Sequence, residues 1–148
     1  MSTRVIDFYT VPTGAFRHGS RAESLCRIYT DTRLEVEHDY IQWLFPLPEP
    51  SRFHPGAPIL TAADIQVFHN SKDLKRIMRR ALNRMWKFYK YNTHWLTPKN
   101  HNFMRITRIL RSCTLCGLEK EAKDFLTWLQ SLTIDVGVSM DYWKKAVQ

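Results

Sequence analysis

Two arginines three positions apart, Arg105 and Arg108, carry the sharpest chemical signal in the chain. On one helical face their guanidinium forks can hold a carboxylate through paired N–H donors, and phosphate would serve equally well. The sequence also sets five polar residues among apolar neighbours: His38, Gln42, His101, Asn102 and Thr107. Each of these, buried without a partner, would cost about 1–3 kcal/mol. Each is therefore expected to bond to another of the set, to the main chain or to a ligand. Tyr40 and Trp43 add aromatic surface, and these nine residues form the candidate ligand-binding set. A closed polar network that locks a proline-rich stretch onto the helices is the competing reading.

Charge supplies a second candidate surface. From 71 to 111 twelve basic residues are opposed by Asp73 alone, a local +11; the whole chain is +8, so the remainder sums to −3. Lys72, Arg76, Arg79, Arg80, Arg84 and Lys87 fall on one helix face, and with Arg111 they make a patch suited to an acidic protein or to nucleic acid. A nucleic-acid-binding module along 72–111 is the alternative function, recognisable by steep salt dependence. The opposite pole holds Asp31, Glu35, Glu37 and Asp39 against Arg33. Pairing of the two poles within the fold, or simple solvation of each, would leave no site at all.

Other chemistries find less support. Cys113 and Cys116 have the Cys-x-x-Cys spacing, but no second pair or close histidine pair completes a tetrahedral zinc site. A redox pair wants its first thiol at a helix N-terminus, whereas this pair falls at a helix end. Packing as small hydrophobes is the expectation, with no metal and no cofactor. Five scattered glycines form no phosphate-cradling loop. A nucleophile drawn from Cys26, His38 and Asp39 can be written on paper for any chain this size, so no enzyme is expected. Tyrosines and tryptophans could stack bases, yet most occupy apolar helical positions. Three cysteines suit a reducing compartment, and no apolar run approaches the about 20 residues of a bilayer span. A soluble, intracellular protein is expected.

The elements that must position these residues follow from period and punctuation. A chain of 148 residues, 44% hydrophobic and 13% aromatic, can bury one core without a metal or disulfide. Residues 1–20, with Pro12, Gly14 and Gly19, read as an extended arm lying on the body. A short helix is expected over 21–30 behind Ser20, and an aromatic one over 37–45 that Pro46 ends. Pro48, Pro50, Pro55 and Pro58 make the next stretch a linker. Thr61 and Asp64 predict a capping box for a helix reaching about His69. Ser71 caps the strongest signal, where Leu74, Ile77, Met78, Ala81, Leu82, Met85, Phe88 and Tyr89 repeat through nearly six turns. Further helices are predicted from His101 to a stop at Gly117, over 119–132, and from Ser139 through Trp143. Only 5–9 and 133–138 resemble strands. The fold class is all-α: a single-domain irregular bundle of five to seven helices spanning 1–148, with an extended N-terminal arm and a Pro-rich linker.

Two segments have a wording that spacing alone would not single out: His38-Asp39-Tyr40-Ile41-Gln42-Trp43-Leu44-Phe45-Pro46 and His101-Asn102-Phe103-Met104-Arg105-Ile106-Thr107-Arg108-Ile109-Leu110. In this order and about sixty residues apart, they resemble the signature segments of the opioid growth factor receptor conserved domain. Phe8-Tyr9, Ala57-Pro58-Ile59-Leu60-Thr61 and Phe88-Tyr89 add to the likeness, which covers roughly 7–125. The resemblance implies a helical domain with no known catalytic activity, which in its best-known members belongs to a nuclear and perinuclear receptor for methionine-enkephalin that restrains proliferation. With the charge polarity it implies that a bound peptide sets its C-terminal carboxylate on Arg105 or Arg108, an aromatic side chain near Trp43 or Tyr40, and its ammonium near Glu37 or Asp39. Members known for that role continue into a long hydrophilic tail, and Cys113 and Cys116 stand where the family pattern is aliphatic.

Overall fold

The computed structural model describes residues 3–10, 21–97, 99–132 and 135–148. Its elements are α1 (Arg4–Thr10), α2 (Ala22–Ile28), α3 (Asp31–Val36), α4 (Ile41–Leu44), α5 (Ala62–Asn70), α6 (Lys72–Tyr91), α7 (Asn102–Leu115), α8 (Glu119–Ser131) and α9 (Ser139–Ala146). No strand occurs among the described residues. The all-α bundle is therefore as expected, with nine helices described where five to seven were counted.

The difference lies in the short elements. Residues 4–10 form a helix rather than an extended arm or a strand, because Val5, Phe8 and Tyr9 stand at i, i+3 and i+4 and are each 0% exposed. The rest of the expected arm, 11–20, and the proposed Ser20 cap lie outside the described residues. Of the second strand candidate, 135–138 is coil and turn, and 133–134 also lies outside them. The helix read over 37–45 shrinks to the single turn of α4, while α3 takes shape over the acidic pole behind Thr30, whose side chain accepts from the Arg33 N–H.

Where local signals were strong the chain follows them. Thr61 and Asp64 close a reciprocal capping box on α5, and Thr3 Oγ1 donates to the same carboxylate at 2.7 Å, tying the start of α1 to the start of α5. Ser71 ends α5 and caps α6. The apolar stripe of α6 is buried along its whole length, and α2 and α5 pack beside it. After α7, Gly117 turns the chain at φ +95°, a conformation a side chain resists. Helix α7 then packs against both α8 and α9, so the helix bearing Arg105 and Arg108 is braced on its far side. Tryptophans 95 and 143 are buried, and Trp86, Phe125 and Trp128 stack between α6 and α8. These rings belong to the core. Cys113 and Cys116 are 0% exposed, and burial pushes the Cys116 thiol up to about 12, so the pair packs as small apolar side chains.

Candidate functional site

Helix α7 presents its arginines to the two elements before and after Tyr40. Arg105 is 6% exposed and reaches far back along the chain: Nη1 donates to Leu34 O at 2.7 Å and Nη2 to Glu37 O at 2.8 Å. Nη1 also lies 3.4 Å from the Tyr40 hydroxyl and from Asn102 Oδ1, and Nη2 lies 3.2 Å from His38 Nδ1. A guanidinium only donates, so that imidazole nitrogen carries a lone pair. These contacts occupy Nη1 and Nη2 with partners from the chain itself, which hold the end of α3 and the entry to α4 against α7. Asn102, 0% exposed, completes the network through Tyr89, Glu35 and Asn100.

Arg108, one turn on, is half-buried. Its Nε donates to Phe45 O at 2.8 Å and its Nη2 lies 3.5 Å from Gln42 O. Burial pushes its guanidinium down to about 10, with Glu49 opposing and Arg111 adding to the fall. Its Nη1 makes no hydrogen bond among the described residues, which leaves part of the fork to a further acceptor. Arg111 pairs with Glu49 at the rim.

Between these arginines, α4 and the proline-rich stretch lies a cleft of about 520 Å³. Ile41, Leu47 and Met104 supply apolar wall, and Phe53 stands 75% exposed at its lip. Of the nine candidate residues His38, Gln42, His101, Arg105, Thr107 and Arg108 line it; Tyr40, Trp43 and Asn102 do not. Tyr40 is 0% exposed with its hydroxyl on Leu34 O, and Trp43 is sandwiched between Phe8 and Arg4 on the α1 side. Sequence reading missed the contribution of Glu49, Pro50, Ser51, Arg52 and Phe53. The signal was there in Phe53, a large apolar residue in a linker that has little else to bury.

The other patch is neutralised to a large degree. Arg84 bonds Asp31 at 2.8 Å, Arg80 and Arg76 meet Glu23 at 3.0 and 3.6 Å, and Arg79 meets Glu121 at 2.9 Å. Lys72 and Lys87 remain exposed. Exposed pairs of this kind contribute little stability, but they do lower the field offered to a polyanion.

At one end of the cleft Glu35 gathers two imidazoles, His94 Nε2 at 3.0 Å and His101 Nε2 at 2.9 Å, and the His38 ring meets the His101 ring edge-on. Burial raises the Glu35 carboxyl, but hydrogen bonds from His94 and Asn102 and the charge of His101 more than offset it, leaving it below its ordinary 4.5. Burial chiefly, with Arg105 and His38 adding to it, holds His101 below its ordinary 6.5 despite the pull of Glu35. In both cases the unfolded chain binds more protons, so stability rises with pH and is lost on acidification. The imidazole part is lost as pH drops below 6.5, and the carboxyl part below 4.5. Thermal midpoints should therefore show two acid steps. In Glu35→Gln the lower one shrinks, and equal acid profiles for variant and parent would refute the assignment. No group of three His, Cys, Asp or Glu side chains among the described residues could hold a metal ion.

The fold and cleft thus define an all-helical domain in which no described helix is long and apolar enough to cross a membrane. The family model described as the opioid growth factor receptor conserved region matches residues 3–94, and the chain belongs to that family. The opioid growth factor receptor of Rattus norvegicus is 34% identical over 69% of this chain and 21% of its own length; that of Homo sapiens is 32% identical over 77% and 20%. Opioid growth factor receptor-like protein 1 of Rattus norvegicus is 34% identical over 59% of this chain and 22% of its own. The chain spans about a fifth of the length of these curated relatives. No solved structure matches. The family match ends before His101, so the segment that supplies Arg105 and Arg108 lies beyond it.

Proposed function

We propose that this chain is a non-enzymatic binding domain whose cleft between α4, the 47–53 stretch and α7 takes a short peptide, with the peptide's C-terminal carboxylate on Arg108. One observation carries the reading: a cleft with apolar walls ends on a desolvated, half-buried guanidinium. A carboxylate there regains two charge-assisted bonds that water supplies poorly. Arg105 is the wrong arginine for this task, since both of its terminal nitrogens already hold main-chain carbonyls, whereas Arg108 keeps Nη1 without a partner among the described residues. The peptide's aromatic side chain lies against Phe53 rather than Tyr40 or Trp43. The cleft's hydroxyls favour binding over nucleophilic chemistry, because Thr107 donates to Phe103 O and Ser51 accepts from the His54 N–H. The relatives are named opioid growth factor receptors, and the family resemblance makes methionine-enkephalin the peptide to test and growth regulation in cytoplasm and nucleus the role.

Isothermal titration of the whole chain with methionine-enkephalin tests this. The free acid binds, its C-terminal amide binds at least about tenfold more weakly, and Arg108→Met abolishes the difference. Equal heats from acid and amide, or no heat from either, defeat the proposal. The nucleic-acid alternative needs a gel shift at low salt, and the internal ion pairs of the α6 arginines argue against one.

A further inference from the structure

Five polar or charged residues are buried among the described ones: Gln42, Asp64, Asn102, Arg105 and Ser112. Four are bonded within the chain, Asp64 in its capping box, Asn102 and Arg105 in the α3–α7 network, and Ser112 to Pro46 O at 2.8 Å. Gln42 is the exception. It is 7% exposed and lines the cleft, and its buried Oε1 has no hydrogen-bond partner among the described residues. A methionine of the same length would fill that space without an orphaned acceptor, so packing alone does not account for an amide here.

Its surroundings say what would satisfy it. The main-chain oxygen of Gln42 lies 3.5 Å from Arg108 Nη2, and the side chains of both residues line the same cleft. The terminal torsion of glutamine is soft, which lets Oε1 turn toward a donor standing in the cleft. The C-terminal residue of a peptide carries a carboxylate and an N–H on the same Cα, and between them an outward side chain. We infer that Gln42 is a specificity-determining residue that accepts the last peptide N–H of the ligand, so the cleft reads a chain terminus as one unit: carboxylate on Arg108, N–H on Gln42, apolar side chain against Ile41, Leu47 and Met104. The inference rests on the peptide-site reading of the cleft and adds to it the residue that separates a chain end from any other carboxylate.

The test uses small probes on the whole chain. N-acetyl-L-leucine, its N-methyl analogue and N-acetyl-L-leucinamide are titrated and followed by NMR, including the Gln42 side-chain amide. N-methylation is expected to weaken binding about tenfold in the parent chain. In Gln42→Met the unmethylated probe falls to the affinity of the methylated one, and the thermal midpoint rises because an unpartnered acceptor has been removed. Gln42→Leu repeats the test should the methionine variant fold poorly. A merely structural glutamine would lower the midpoint when replaced and leave the gap between the probes intact. An equal affinity for both probes in the parent chain, an undiminished gap in the variants, or no binding of any probe overturns the inference. If leucinamide binds as well as the acid while the N-methyl gap persists, the carboxylate assignment to Arg108 fails and the role of Gln42 stands.

Discussion

Replacing Arg105 by methionine is expected to lower the unfolding free energy by about 3 kcal/mol, read from urea denaturation. The guanidinium reaches from α7 to carbonyls at Leu34 and Glu37, where the chain leaves α3 and turns toward α4. Glu37 O loses this donor and Leu34 O is left with the Tyr40 hydroxyl, while that hydroxyl and Asn102 Oδ1 lose a neighbour as well. The ring of Tyr40 also loses the cation lying 5.5 Å from its centroid. Lysine recovers only part of the loss, because one ammonium cannot span two carbonyls set apart by a planar fork. A change below about 0.5 kcal/mol in Arg105→Met, the range of an inert surface substitution, would mean that these bonds do not hold the segments together. It follows that peptide binding is better probed at Arg108, since loss at Arg105 confounds binding with folding.

A second large effect is expected at the other end of the chain. Trp143→Ala should cost about 3–5 kcal/mol, as truncation of a buried tryptophan generally does. The residue is 1% exposed on α9, its ring meets Phe103 edge-on at 5.7 Å, and its Nε1 donates to Phe103 O at 3.1 Å. That carbonyl sits in the first turns of α7, next to the arginine network, so α9 stabilises the site helix from behind. Trp143→Phe keeps most of the packing and loses the donor, so it should cost far less. Equal stability of the alanine variant and the parent would show that α9 docks without contributing.

The caps and periods that were legible in the sequence are local. Thr61 with Asp64, Ser71, the α6 stripe and Gly117 each involve residues within a few positions of one another, and each appears where its spacing places it. The short helices were harder to read. In α1 the glycines and proline that follow outweighed a buried face of only three residues, and in α4 one turn offers too little repeat to separate helix from coil. Of the two segments that stand out by their wording, the first lies within the matched family region and the second beyond it, and eight of their residues meet in one cleft.

Sequence by itself determined the helical class, the basic face of α6 and the presence of two arginines one turn apart on α7. Tertiary structure alone decided that Arg105 is a clamp and Arg108 an open cation, that Gln42 is left without a donor, and that most arginines of α6 already have carboxylates. The physical reason is range. Helical periodicity and capping are settled over one or two turns, whereas the carbonyl or carboxylate that a guanidinium finds lies some forty to seventy residues away, and only packing of the whole chain brings it within 3 Å.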